Sequence, residues 1–283
     1  MLGFVLINKS EGPTSFDIVR TLRKTLQTRK IGHAGTLDPL ATGLLVIAVG
    51  KATRLLPLIP VDSKEYIFEI KFGETRDTGD REGRVLEDGF KTPNESDLLS
   101  VLESFRGEIS QTPPIYSAIK INGKKAYELA RKGEDVKMKS RSVTISSLEL
   151  LSFNESESTA KLVVNCSSGT YVRSLAQDIA ESLGSGGFAL SIHRTRVGDF
   201  HLESAQSMEE FIQSPEVISP DKLLSSWGKV VVSGRDEELL VHGNSINIEL
   251  ADTHRVWVVN DKNELLSLAA SKDNILKSIR NLS

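Results

Sequence analysis

Residues 32–50 read GHAGTLDPLATGLLVIAVG. The second half is an unbroken apolar run, the pattern of a strand buried on both faces. The first half is a loop of small residues around one carboxylate, Asp38. Pro39 biases Asp38 away from helical backbone. Taken alone, an Asp-Pro step of this kind most often caps a turn or helix. Two features argue for more. Gly32, Gly35 and Gly43 allow a ligand to approach the backbone closely, and loops seated on rigid strands commonly carry catalytic groups. No Lys or Arg flanks Asp38 in sequence. A cation that keeps a desolvated carboxylate ionised must therefore come from elsewhere in the chain.

Working outward, residues 3–9 read as a strand. Residues 14–27 read as a helix capped by Thr14 or Ser15, with Phe16, Val19, Leu22 and Leu26 at helical spacing. Residues 51–59 suit a short helix that stops at proline. In residues 64–73 Tyr66, Phe68, Ile70 and Phe72 alternate with charges, which predicts a half-buried strand. Residues 74–83 read as a polar loop and 96–107 as a capped helix. Residues 113–136 begin rigid and extended, turn at Asn122-Gly123 and run into a short basic helix. Two strands follow, over 141–153 and 158–169, then a helix over 170–184 ending at Gly184, then a strand over 188–200. Residues 203–226 are acidic, poor in pattern, and read as a connector. From 228 onward short strands alternate with turns. The predicted fold class is α+β: a mixed, mostly antiparallel central sheet flanked by helices in residues 1–226, and a small β-rich domain in 227–283.

An apolar fraction of 39% and a charged fraction of 26% fit a globular chain. The longest apolar run is about eight residues, too short for a membrane helix, and the N-terminus lacks the basic start of a signal peptide. Cys166 is the only cysteine, which excludes an intrachain disulfide and suits a cytoplasmic location. The formal net charge of −3 hides an uneven distribution. Residues 1–60 carry eight Lys/Arg against three Asp/Glu, and residues 115–145 carry the same eight against three. Each segment is +5, so the remainder stands at −13, the difference from −3. Two basic segments on an acidic chain can form one RNA-binding face or two ordinary solvated faces.

None of the histidines at 33, 193, 201, 242 and 254 pairs with another at metal-ligand spacing, so no metal is expected. Gly-x-Ser-x-Gly, the Walker loop and a helix-opening Gly-x-Gly-x-x-Gly are all absent, which leaves hydrolase, NTPase and dinucleotide readings without support. Arg173 lies beside the predicted apolar stripe of Val172, Leu175, Ile179 and Leu183. It can turn inward or lie along the surface.

Together these segments closely resemble the TruB family of tRNA pseudouridine-55 synthases. GHAGTLDPLATGLL with GKATR resembles the family's catalytic segment, and KEYIFEIKFGETRDTGD its second motif. TPPIYSAIKINGKKAYELARKG resembles its RNA-gripping insertion, here about 113–141, while SGTYVRSLAQDI and RTRVGDF resemble its last two motifs. Three positions depart from the family pattern: Ser10 for proline, Arg76 for threonine and His193 for arginine. The resemblance implies a pseudouridine synthase fold with a PUA-like C-terminal domain. It also implies isomerisation of uridine 55 in the tRNA T-loop, with no cofactor and the T-arm stem-loop as partner. A monomer suits such an enzyme. In this reading Asp38 is the nucleophile and Arg173 its cationic partner. Tyr66 stacks on the flipped base and serves in proton transfer, His33 enters the space beside the extruded nucleotides, and Tyr171 and Ile192 form the pocket wall. Lys120, Lys124, Lys125, Arg131, Lys132, Lys137, Lys139 and Arg141 form a clamp over the RNA. Arg173→Ala is expected to spare folding and cut turnover. The alternative is a non-catalytic tRNA-binding chaperone of the same fold.

Overall fold

The computed structural model describes residues 1–283 apart from Asn122, Arg131 and Asp135. The predicted turn residue Asn122 and clamp residue Arg131 thus lie outside the described residues. Nine strands make the central sheet: β1 (Leu2–Lys9), β2 (Ile31–His33), β3 (Thr42–Gly50), β4 (Ser63–Phe72), β5 (Gly107–Gln111), β6 (Arg141–Asn154), β7 (Thr159–Ser167), β8 (Gly187–Val197) and β9 (Phe200–His201). Their order is β1-β3-β8-β4-β7-β6-β5, with β2 beside β3 and β9 beside β8. Every pairing is antiparallel except β3–β8, where Thr42 faces His193 and Gly43 faces Arg194 in parallel register. This parallel crossing brings the strand after the Asp38 loop against β8. Gly43 is required there: its φ is +97°, and a Cβ would sit 2.2 Å from the Arg194 carbonyl oxygen.

The unbroken apolar run in β3 now has a physical cause. Leu45, Ile47 and Val49 face a core built with helices α1 (Ser15–Thr25) and α3 (Val172–Ser182), joined at one edge by α2 (Glu95–Leu102). Leu44, Val46 and Ala48 face a second cluster that contains Trp257 and Leu268 of the C-terminal sheet and Leu282 just after its last strand. Covered on both sides, the strand has no solvent face to carry polar residues. Trp257 is fully buried, and its indole N–H donates to the Leu224 carbonyl at 3.0 Å. The C-terminal sheet runs β10-β12-β13-β14-β11, formed from β10 (Lys229–Val231), β11 (Ser245–Asn247), β12 (Thr253–Val259), β13 (Leu265–Lys272) and β14 (Ile275–Asn281), with the helix Gly234–Val241 packed on it.

Three local expectations change. Thr14 caps α1 through a capping box, but the buried stripe is Ser15, Ile18, Val19 and Leu22, and Phe16 is 59% exposed. The supposed loop 74–83 begins with strand Glu74–Arg76, which pairs with Val85–Asp88 in a small hairpin. The supposed connector 203–226 is structural: Gln206 and Ile218 hydrogen-bond along β1, and Phe211 is fully buried in the helix-side core. Backbone bonds to a sheet edge need no side-chain periodicity, so this segment had no pattern to read.

Candidate active site

The loop that carries Asp38 is held from below by buried cations. Lys9, at the end of β1, is fully enclosed and donates to the carbonyls of Ser10, Pro13 and Pro39 at 2.9, 2.9 and 3.1 Å. Arg194 of β8, also fully buried, donates to the carbonyls of Leu44, Thr36 and Gly35 at 2.8, 3.4 and 3.2 Å. Ser15, at the first turn of α1, accepts from the Leu37 N–H at 2.8 Å and donates to the Leu37 carbonyl at 3.0 Å. Backbone on both sides of Asp38 is thereby fixed, while the Asp38 side chain stays 36% exposed. Burial pulls the Lys9 ammonium down to about 8, against the opposing pull of the Asp38 and Glu11 carboxylates.

Arg173 turns inward from the first turn of α3. Its guanidinium lies 2.9 Å from an Asp38 carboxylate oxygen and 3.4 Å from Asp80, and it donates to the carbonyls of Thr78 and Tyr116 at 2.9 Å each. One side chain, 4% exposed, thus ties together the Asp38 loop, the segment of Thr78 and Asp80, and the start of the 113–141 insertion. The helix start is anchored by Gln111, whose amide accepts from the Tyr171 N–H at 2.7 Å and donates to the Tyr171 carbonyl at 3.0 Å.

Asp38 and Arg173 open into a cavity of about 280 Å³ that Tyr66, Tyr171 and Ile192 also line. This is near the small end of ligand cavities and suits a single base. Tyr66 on β4 stands in register with Arg194 on β8. Burial raises the Tyr66 phenol above its usual range, and the charge and hydrogen bond of Arg194 oppose that rise. Ile192 and Arg194 share a face of β8, and Lys64 and Tyr66 share a face of β4, so Lys64 and Arg194 also reach the cavity. The Arg141 guanidinium lies 4.9 Å from the Tyr171 ring centre and donates to the Gly169 carbonyl.

Five of the six expected site residues therefore meet. His33 does not line this cavity; it ends β2, pairs with Ile47, and burial followed by the Arg194 charge lowers its pKa. Among the charged residues lining the cavity, Lys64 and Arg194 are missing from the sequence reading, and Asp80 lies behind Arg173. Lys64 falls on the alternation that marked Tyr66, but a charge on a strand reads as solvated, and Arg194 carries no local signal of its own. In the insertion Lys120, Lys124, Lys132, Lys137 and Lys139 are exposed, and Lys125 packs on Tyr127. The three departures have local roles. Ser10 gives its carbonyl to Lys9, His193 Nδ1 meets the Thr42 hydroxyl at 2.8 Å, and Arg76 bonds Glu74 and lies 4.4 Å over the Phe188 ring.

The fold has solved counterparts. A chain from an H/ACA RNP bound to a substrate RNA containing 2′-deoxyuridine superposes over 99% of this chain and 85% of its own length, with a TM-score of 0.70 at 21% identity. A chain from a Cbf5-Nop10-Gar1 complex covers 95% and 78% with a TM-score of 0.68 at 24% identity. The architecture is the pseudouridine synthase fold, with a C-terminal sheet consistent with a PUA-like domain. Residues 23–172 match the model of the TruB family pseudouridylate synthase N-terminal domain. The tRNA pseudouridine synthase B of Aquifex aeolicus is 41% identical over 284 residues, covering 99% of both chains, and that of Clostridium acetobutylicum is 37% identical over 288 residues with the same coverage. The chain belongs to the TruB family of pseudouridylate synthases, enzymes of the isomerase class.

Proposed function

We propose that this chain isomerises uridine 55 in the T-loop of tRNA to pseudouridine, with Asp38 as the nucleophile. The observation that carries the reading is the Asp38–Arg173 pair at the opening of a base-sized cavity. The reaction breaks the N1–C1′ bond, turns the uracil, joins C5 to C1′, and moves one proton from C5 to solvent while N1 gains one. Atoms and electrons balance within the substrate, so the demand on the protein is a positioned anion and a shaped pocket. Asp38 supplies the anion, and the Arg173 guanidinium 2.9 Å away holds it in place. Attack at C1′ and attack at C6 both begin from this carboxylate.

The target base must leave its stack, which costs a few kcal/mol, least for a base already strained in a loop. A ring under the base returns about 1–3 kcal/mol, and Tyr66 lies on the cavity wall for that role. Because burial holds its phenol neutral, Tyr66 takes the C5 proton only as a relay, passing its own proton onward. The exposed insertion lysines add phosphate contacts. A T-arm stem-loop labelled with tritium at C5 of uridine 55 tests the proposal. Release of one tritium per product that co-elutes with pseudouridine is expected, and none when a cytidine stands at that position. A chain that binds the stem-loop and releases no tritium would refute catalysis.

A further inference from the structure

The cavity holds more positive charge than the residues around it neutralise. Arg173 is matched by Asp38 and Asp80. Arg194 and Lys64, both at the cavity wall, have no carboxylate within salt-bridge distance among the described residues. Arg194 spends its donors on the carbonyls of Gly35, Thr36 and Leu44. Lys64 is different. It is 9% exposed, and its ammonium makes one hydrogen bond among the described residues, to Ser168 Oγ at 2.8 Å. The Ser168 hydroxyl proton is already committed to the Val61 carbonyl at 2.7 Å, so Ser168 presents a fixed lone pair to Lys64. That bond pins the ammonium and leaves two N–H donors. The backbone concedes space beside it: a Cβ on Gly35, where φ is +109°, would lie 3.5 Å from Lys64 Cε and 3.8 Å from Nζ.

A buried ammonium with open donors and no counter-ion is costly unless something anionic completes it. The base itself is neutral and cannot do so. The anion that accompanies a flipped nucleotide is its own backbone. We propose that Lys64 binds a non-bridging oxygen of one of the two phosphodiesters flanking the reacting uridine, fixing the nucleotide's depth in the cavity. This rests on the function proposed above. Burial and the neighbouring Arg194 charge pull Lys64 down to about 8, so the bound anion would also secure its protonation.

The test combines Lys64→Met with two stem-loops, each carrying one uncharged methylphosphonate, on the 5′ or the 3′ side of uridine 55. Tritium release by the parent enzyme from the unmodified stem-loop checks the function itself, independently of Lys64. Loss of a charge-assisted hydrogen bond is expected to raise KM about ten- to a hundredfold, with kcat changed less than about threefold. One methylphosphonate should raise the parent's KM comparably and add almost nothing in Lys64→Met. A Lys64→Met KM equal to the parent's, or effects that multiply at both phosphodiesters, would overturn the assignment. Lys64→Gln repeats the cycle should the Met variant fold poorly. The parent's own response is a separate check, since indifference to both methylphosphonates also refutes the contact.

Discussion

Removing the Arg173 guanidinium should destabilise the protein as well as slow it, and the structure says by which arm. Asp38 is 36% exposed and water replaces its partner, so that arm contributes no more than about 1 kcal/mol. Asp80 is enclosed at 6% exposure and, among the described residues, its carboxylate then keeps its bonds from the Thr78 hydroxyl at 2.7 Å and the Glu82 N–H at 3.1 Å. The carbonyls of Thr78 and Tyr116 each lose a charged donor. Together these losses come to about 4 kcal/mol, within the range for breaking a buried ion pair from one side. Against a typical stability of about 5–15 kcal/mol, Arg173→Met should fold but unfold at much lower urea. This revises the expectation that Arg173→Ala spares folding, which treated the residue as a partner of Asp38 alone. Adding Asp80→Asn should recover at least about 1 kcal/mol, because the stranded enclosed carboxylate is gone, whereas adding Asp38→Asn should recover less than about 0.5 kcal/mol. Turnover of the folded fraction should fall about a hundredfold or more, the scale of a misplaced reacting group. Urea unfolding and saturating kcat measure both. Unchanged urea midpoints, equal recovery from Asp38 and Asp80, or a kcat within threefold of the parent would refute the reasoning.

Tyr66→Phe should bind the stem-loop as the parent does yet form product more slowly; equal rates would remove the proton relay and leave stacking. Reversing the exposed charges of Lys120, Lys124, Lys132 and Lys139 should raise KM and lower the salt slope of binding by about 0.7–0.9 per lost phosphate contact, with little change in kcat; an unchanged slope would discard the clamp. Lys64→Met should be more stable than the parent at pH 7 by about 3 kcal/mol, because the folded parent holds its ammonium at about 8 rather than 10.5. Between those values the unfolded chain retains a proton that the folded one sheds, so parent stability rises with pH and the gap closes near pH 10.5. Lys9 is lowered likewise but is present in both proteins and cancels. A constant gap from pH 7 to 10.5 would show that Lys64 is not electrostatically strained.

Much of the architecture was legible because burial leaves a period in the sequence. Strand β4 alternates as read, and β3 reads as apolar because helices cover one face and the C-terminal sheet the other. Asp38 stood out as a carboxylate in a glycine-rich loop ahead of such a strand. The direction of Arg173 did not follow from its helical position, which borders the apolar stripe. Asp38, Asp80 and the carbonyls of Thr78 and Tyr116, all distant in sequence, draw it inward. Lys64 and Arg194 escaped notice for the opposite reason: charges on a strand read as a solvated face, and nothing local says that a cavity lies there. Phe16 matched the helical spacing yet faces water, since Ser15 takes the inward position to hold Leu37.

The central claim is that the Asp38 carboxylate itself performs the first bond-making step. Single-turnover tritium release by Asp38→Asn tests it most directly, because the amide keeps the shape and removes the nucleophile. The variant is expected to unfold at the parent's midpoint, bind the stem-loop within about threefold, which is about 0.7 kcal/mol, and release no tritium above background. Release at a rate within tenfold of the parent's would contradict the account.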